Sequence, residues 1–289
     1  MRVFAVTPKG AIVKKPLLAL LFILLSGCAS QGGEPAQSAA SPAETRAQIE
    51  RAAAAYRSAD YPTAFRLCLA LARQGNAWGQ LAVGDMYTAG LGVGKDPAEG
   101  TKWARKSADQ GYAPGQLRMG TAYATGRGVP KDDVQAAAWY QKAAGQGNPT
   151  AIWLLGLAYK KGDGVTQSDV QAVSWWRKGA QAGDAVSQVS LGYSYKFGEG
   201  VPKDATEAVK WFRLAANQNE AQGQFLLGDA YEHGTGVRKS VKEAKVLYRK
   251  SAAQGNAGAK KALGRLMTPS ERAWDQVLKE DGGRLFKKK

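Results

Sequence analysis

The chain has 289 residues, 44% of them hydrophobic, with 40 Lys plus Arg against 24 Asp plus Glu, a net charge of +16, one His and two Cys. Two cysteines exclude a disulfide-dense scaffold, and a lone His excludes a His-rich metal centre. The 35 glycines, about 12% where ~7% is usual, call for an explanation, and an internal repeat supplies it.

Residues 1–27 carry Arg2, Lys9, Lys14 and Lys15 and no acidic residue, around the apolar run Leu17 to Leu25. Nine helical residues rise only ~14 Å against a hydrocarbon core of ~30 Å, so the run is too short to span a membrane. A short apolar run behind a positive segment reads as a secretory signal peptide. Leu25-Ser26-Gly27-Cys28 resembles the bacterial lipobox. That resemblance implies that Cys28 becomes the lipidated first residue, carrying fatty acids such as palmitate. A plain signal peptide with a Cys nearby by chance is the alternative. In such lipoproteins Asp in second place favours the inner membrane; Ala29 stands there instead, which implies the outer membrane with the domain facing the periplasm. At about 0.8 kcal/mol per buried CH₂, several acyl chains would anchor the protein permanently.

A balance this basic would otherwise imply nucleic acid, and export removes that partner. Loss of the four basic residues of 1–27 lowers the charge from +16 to +12. Anionic lipid, anionic polysaccharide or an acidic protein remain. Residues 28–42, the lipidated Cys followed by ASQGGEPAQSAASP, have no aromatic or β-branched residue and read as a flexible tether. Residues 43–76 form a degenerate helix pair, 43–57 and 61–74. Cys68 falls where later units place Tyr140, Trp176 or Phe212, which points to a buried, inert thiol.

From Ala77 the chain aligns with itself every 36 residues without insertion or deletion, as 77–112, 113–148, 149–184, 185–220 and 221–256. The eighth position is Gly84, Gly120, Gly156, Gly192 and Gly228, continued by Gly264 in a partial sixth unit. The eleventh is Tyr87, Tyr123, Tyr159, Tyr195 and Tyr231. Position 27 is Trp103, Trp139, Trp175, Trp211 and Leu247. Each unit reads as helix–turn–helix, with a G-x-G-V turn and a capping box opening the second helix, such as Asp96 with Glu99 or Ser168 with Gln171. A glycine in mid-helix costs about 1 kcal/mol relative to Ala. Its recurrence predicts that the missing Cβ lets a neighbouring helix approach. Residues 257–281 are expected to cap the array, with a helix carrying Trp274 and Leu278, and 282–289 to form a basic tail.

The pattern resembles the Sel-1-like repeat, a relative of the tetratricopeptide repeat. The second unit carries its motif as Ala113, Gln116, Gly120, Tyr123, Gly126, Gly128, Val129, Asp132, Ala136, Trp139, Tyr140, Lys142, Ala143, Ala144, Gly147 and Asn148. The resemblance implies an all-α fold, a right-handed α-solenoid superhelix of helix-turn-helix repeats. It also implies a non-enzymatic periplasmic scaffold or adaptor for protein partners. A second role it implies is an immunity protein that neutralises a periplasm-acting antibacterial effector. A third is an enzyme acting on cell wall or β-lactams, although the regular cysteine pairs of the β-lactam-binding branch are absent.

No catalytic constellation stands out: His233 has no partner Cys or His, and the G-x-G pairs follow helices and lack a G-K-[ST] ending. No cofactor or metal is expected. In a helical-hairpin solenoid the first helices line the concave face, and positions 2, 6, 9 and 13 share one side of each. Apolar Leu154, Leu157, Tyr193, Phe197 and Leu226 fall there, ringed by Arg118, Lys160, Lys161 and Lys196. They are the candidate partner-binding groove, unless tight curvature buries them between neighbouring helices. Arg105, Lys106, Lys142, Arg177, Lys178, Arg213, Arg249 and Lys250 make the convex side basic. It reads as a solvated helix face, with contact to anionic polysaccharide or lipid as the alternative.

Overall fold

A computed structural model describes residues 41–271 and 273; among these residues it contains thirteen α-helices up to Leu266, the described part of a further helix from 269, and no strand. Cys28 and the tether up to residue 40 lie outside the described residues, as do Trp274, Leu278 and the basic tail 282–289. Helices α1 (Pro42–Arg57) and α2 (Tyr61–Arg73) precede five hairpins. These pair α3 (Ala77–Ala89) with α4 (Pro97–Asp109), α5 (Ala113–Thr125) with α6 (Asp133–Gly145), and α7 (Pro149–Lys161) with α8 (Asp169–Gln181). Next come α9 (Ala185–Phe197) with α10 (Ala205–Asn217) and α11 (Ala221–His233) with α12 (Val241–Ala253). Helix α13 (Ala257–Leu266) follows. Each helix packs on its neighbours in sequence. Successive first helices also touch, α3 with α5 and α9 with α11, more closely than successive second helices do, so the first helices form the inner layer.

The local signals act where the sequence puts them. Gly90, Gly126, Gly162, Gly198 and Gly234 adopt positive φ and end the first helices. Asp96, Asp132, Ser168, Asp204 and Ser240 cap the second helices, each accepting from the backbone N–H three residues on. The reciprocal half of the capping box takes another form. The cap residue's own N–H donates to the carbonyl of the position-11 tyrosine, as Asp96 does to Tyr87 at 2.9 Å and Asp132 to Tyr123 at 3.0 Å. That bond fastens the end of one helix to the start of the next. Glu99 and Glu207, freed from capping, hold Lys102 and Lys210 instead.

The mid-helix glycines also behave differently from the expectation. In four hairpins the space of the missing Cβ is taken by the ring at position 28. Tyr140 seats on Gly120, Trp176 on Gly156, Phe212 on Gly192 and Tyr248 on Gly228. Only in the first hairpin, where position 28 is Ala104, does backbone approach: a Cβ on Gly84 would stand 2.7 Å from the Gly100 carbonyl. Gly264 meets nothing within 4 Å. The glycine therefore makes a socket for its own hairpin's ring.

A polar contact across the hairpin repeats as well. Gln110 donates to Gln80, Gln146 to Gln116, Gln218 to Gln188 and Gln254 to Gln224, at 2.7–2.9 Å. The third unit replaces both partners at once, with buried Ile152 and exposed Ala182. Removing both members of a buried polar pair avoids stranding either one.

A socket glycine and an idle one predict opposite signs. Gly192→Ala drives a Cβ into the Phe212 ring, which is only 2% exposed and cannot yield; overpacking of this kind costs about 1–3 kcal/mol. Gly264→Ala adds helix propensity in open space and gains up to about 1 kcal/mol. Urea denaturation should move the midpoint down for the first variant and up for the second.

Candidate protein-docking face

The inner wall is built from positions 2, 6, 9 and 13 of α3, α5, α7, α9 and α11, and its character changes along the array. In the first unit it is closed, with Trp78, Ala82 and Asp85 all buried. Arg118 of α5 makes a two-pronged ion pair with Asp85, Nε to Oδ1 at 2.7 Å and a second bond at 2.9 Å. Burial pushes the Asp85 carboxyl above its usual value, against the lowering effect of Arg118. Arg118 therefore ties two repeats together rather than standing free for a partner.

In the third unit Leu154 and Leu157 are half-buried and line an open cavity of ≈ 190 Å³ between α5, α6 and α7. Lys161 is exposed beside them. In the fourth unit the Tyr193 and Phe197 rings stack, with centroids 5.9 Å apart and planes at 11°. Tyr193 packs edge-on against Phe212 and accepts a 2.8 Å bond from Gln222. Phe197 is 58% exposed and Val186 43%, the most accessible large apolar side chains of this wall. Lys196 sits 5.7 Å from the Phe197 ring centroid and pairs with Asp229 at 2.8 Å.

Leu226 is a correction. Only 3% exposed, it belongs to the core with Val209, Phe212 and Ala230 and is closed to a partner. The cause is one helix away. Lys196 and Val209 cover Leu226, leaving a residual void of ≈ 10 Å³. The equivalents around Leu154 are Ala124 and Ala137, which leave the cavity open. The face available to a partner is therefore Leu154, Leu157, Tyr193, Phe197 and Val186 with Lys161 at its edge, while Arg118 and Leu226 serve the frame.

Sequence reasoning missed the ion pairs spaced by 33 residues: Asp85 with Arg118, Lys196 with Asp229, and Glu232 with Arg265. Opposite charges at inner positions of adjacent units were the available signal. His233 leans back on Asp229, with Nδ1 3.0 Å from its carbonyl. Among the described residues no group of three or more His, Cys, Asp or Glu is placed to hold a metal. Burial pushes the Cys68 thiol up to about 12, so a nucleophilic thiolate is negligible near neutral pH. On the outer side Lys106, Lys142 and Lys178 lie 4.0–4.2 Å over the rings of Trp103, Trp139 and Trp175. No helix among the described residues is long and apolar enough to cross a membrane.

The model of the Sel1 repeat matches residues 79–112, 113–148, 149–184, 185–220 and 221–256, more than half of the chain and with the same register. The chain belongs to the Sel1 repeat family. It is a scaffold of the protein-interaction type. A Sel1 repeat protein from Oxalobacter formigenes is similar at 30% identity and a TM-score of 0.71, covering 80% of this chain and 95% of that one. The protective antigen c5321 of uropathogenic Escherichia coli, with an SLR fold, is 38% identical at a TM-score of 0.68 over 78% of this chain. This chain spans only 49% of that antigen. The immunity protein PA5088 of Pseudomonas aeruginosa shares the fold, at 18% identity and a TM-score of 0.51, over 76% of this chain and 85% of that one. No curated protein matches the chain.

The Asp85–Arg118 pair predicts a pH signature. Arg118→Ala strands a buried carboxylate, a loss on the order of 3 kcal/mol at pH 7. Without Arg118 the Asp85 pKa rises further in the folded state alone. Between the unfolded and folded values the native state then holds the extra proton, and stability falls as pH rises. The deficit of Arg118→Ala should therefore shrink towards pH 4, and Asp85→Asn should recover much of it at pH 7, both read by thermal melts.

Proposed function

We propose that this Sel1 repeat protein is a non-enzymatic lipoprotein of the outer membrane that docks one or more periplasmic proteins on the inner wall of its repeats. The observation that carries the docking reading is the stacked Tyr193–Phe197 pair with Phe197 more than half exposed. Elsewhere along the array rings are seated on glycine or against a neighbouring helix. Burying an exposed Phe ring is worth ~1.5–3 kcal/mol, and aromatic anchors in preformed surroundings are what interface hot spots consist of. Leu154 and Leu157 extend the apolar strip by one unit towards the cavity. A strip crossing two inner helices, α7 and α9, ~9 Å apart fits a segment of a protein better than a metabolite.

The anchor reading rests on the sequence of residues 1–29: the positive segment, the short apolar run, the lipobox-like Leu25–Cys28 and Ala29. On this reading the basic helical array works in an oxidising compartment, with which the buried Cys68 thiol is compatible. The lysines of the outer face are held over tryptophan rings, which favours a structural and solubilising part for them.

Two measurements test these readings. Affinity capture from envelope extract with the wild-type chain should retain a protein whose recovery falls at least tenfold with Phe197→Asp and with Leu157→Asp; undiminished recovery by both refutes the docking face. In cells fed labelled palmitate, Cys28→Ser should abolish incorporation, and persistent labelling refutes the anchor.

A further inference from the structure

We propose that the cavity between α5, α6 and α7 is a socket for a lysine side chain of the docked protein. The proposal rests on the docking face argued above and names the chemistry of one contact within it.

The cavity holds ≈ 190 Å³ and is walled by Ala137, Tyr140, Leu154 and Leu157, with Lys131, Asp133 and Asp163 as its charged lining. A space of ~150 Å³ accommodates benzene, so four methylenes and an ammonium group fit. The repeat itself supplies the template. Ala124, Asp133 and Asp163 stand at positions whose counterparts 36 residues on are Lys160, Asp169 and Glu199. There the Lys160 side chain fills the site from within. Its ammonium lies 2.9 Å from Glu199 Oε2 and 3.0 Å from Asp169 Oδ1, the latter an ion pair without hydrogen-bond alignment. One repeat earlier both carboxylates are present and the lysine has become Ala124. The cavity stands where that side chain would run.

The next site along gives the converse. Lys196 is present, but the two carboxylate positions hold Ala205 and Thr235, and the lysine turns to Asp229 instead. Of three successive sites, one has the inner lysine with both carboxylates, one has that lysine alone, and one has both carboxylates with the exposed Lys131 in place of the inner lysine. The last is complementary to an ammonium from outside.

Asp163 forms no ion pair within 4 Å among the described residues, although it acts electrostatically on Lys131. Lys131 reaches Asp133 at 3.0 Å, but its side chain is 61% exposed. A pair of that kind is weak and easily displaced. An entering lysine would lay its stem along Leu154 and Leu157 and place its ammonium between carboxylates that come from two different elements. A planar guanidinium fork is matched to one carboxylate at a time, so the geometry favours lysine over arginine.

The test uses the full-length chain with methyl-labelled Ala and Leu, titrated with Nα-acetyl-lysine methylamide and with its norleucine counterpart, which lacks the ammonium. The lysine probe should shift the methyl signals of Ala124, Ala137, Leu154 and Leu157 at millimolar concentration, with the norleucine probe at least tenfold weaker. Asp133→Asn with Asp163→Asn should remove that preference. Ala124→Lys, which rebuilds the Lys160 arrangement from within, should close the site to the probe and raise the melting temperature. Equal binding of both probes, no shift with either, or unchanged probe binding by Ala124→Lys overturns the proposal. The probe needs no partner, so the two readings fail separately. Protein capture without probe binding removes the socket alone, and probe binding without protein capture removes the docking reading alone.

Discussion

Absence of a Cβ wherever backbone must pass close to another group is the constraint on which this molecule depends. The second glycine of every G-x-G turn rests on the first-turn carbonyl of the helix two elements back. Gly128 rests on Pro97, Gly164 on Asp133, Gly200 on Asp169 and Gly236 on Ala205, all with positive φ. A side chain there would collide with main-chain atoms that cannot retreat. Within four of the five hairpins a second glycine receives a ring, and in the first Gly84 instead lets the Gly100 backbone approach. Together these contacts give the array a constant step, and a constant step aligns equivalent positions of successive units.

Alignment lets the inner wall vary while the frame stays fixed. Where consecutive units offer opposite charges, the wall is sewn shut, as by Arg118 on Asp85 or Lys196 on Asp229. Where they offer rings or leucines without a covering lysine, it stays open, as at Phe197 and beside Leu157. Function on such a scaffold is a matter of which positions decline to fill their own space. Two alanines, Ala124 and Ala137, leave the cavity beside Leu154 open.

Much of this was legible in the amino-acid order. The 36-residue period, the caps, the glycines and the aromatic core are local signals repeated five times, so chance agreement is averaged out. What escaped was pairwise. Leu154 and Leu226 occupy the same position in their units, yet one lines a cavity and the other is 3% exposed. The difference lies in Ala124 and Ala137 against Lys196 and Val209, on other helices. Likewise the glycine–ring socket joins residues twenty apart. Helical periodicity within one element cannot reveal it, although the glycine pointed to a close approach. Comparing each position with the neighbours it meets one repeat away would have exposed the first, and comparing the two helices of one hairpin the second.

Hydroxyl-radical footprinting of the chain with and without its captured partner tests the central claim most directly. On this account modification of Leu157, Tyr193 and Phe197 falls on complex formation, while Val134 and Leu214, exposed at 64% and 46% outside the inner wall, keep their reactivity. Protection of Val134 and Leu214 with the inner-wall residues unchanged would contradict it.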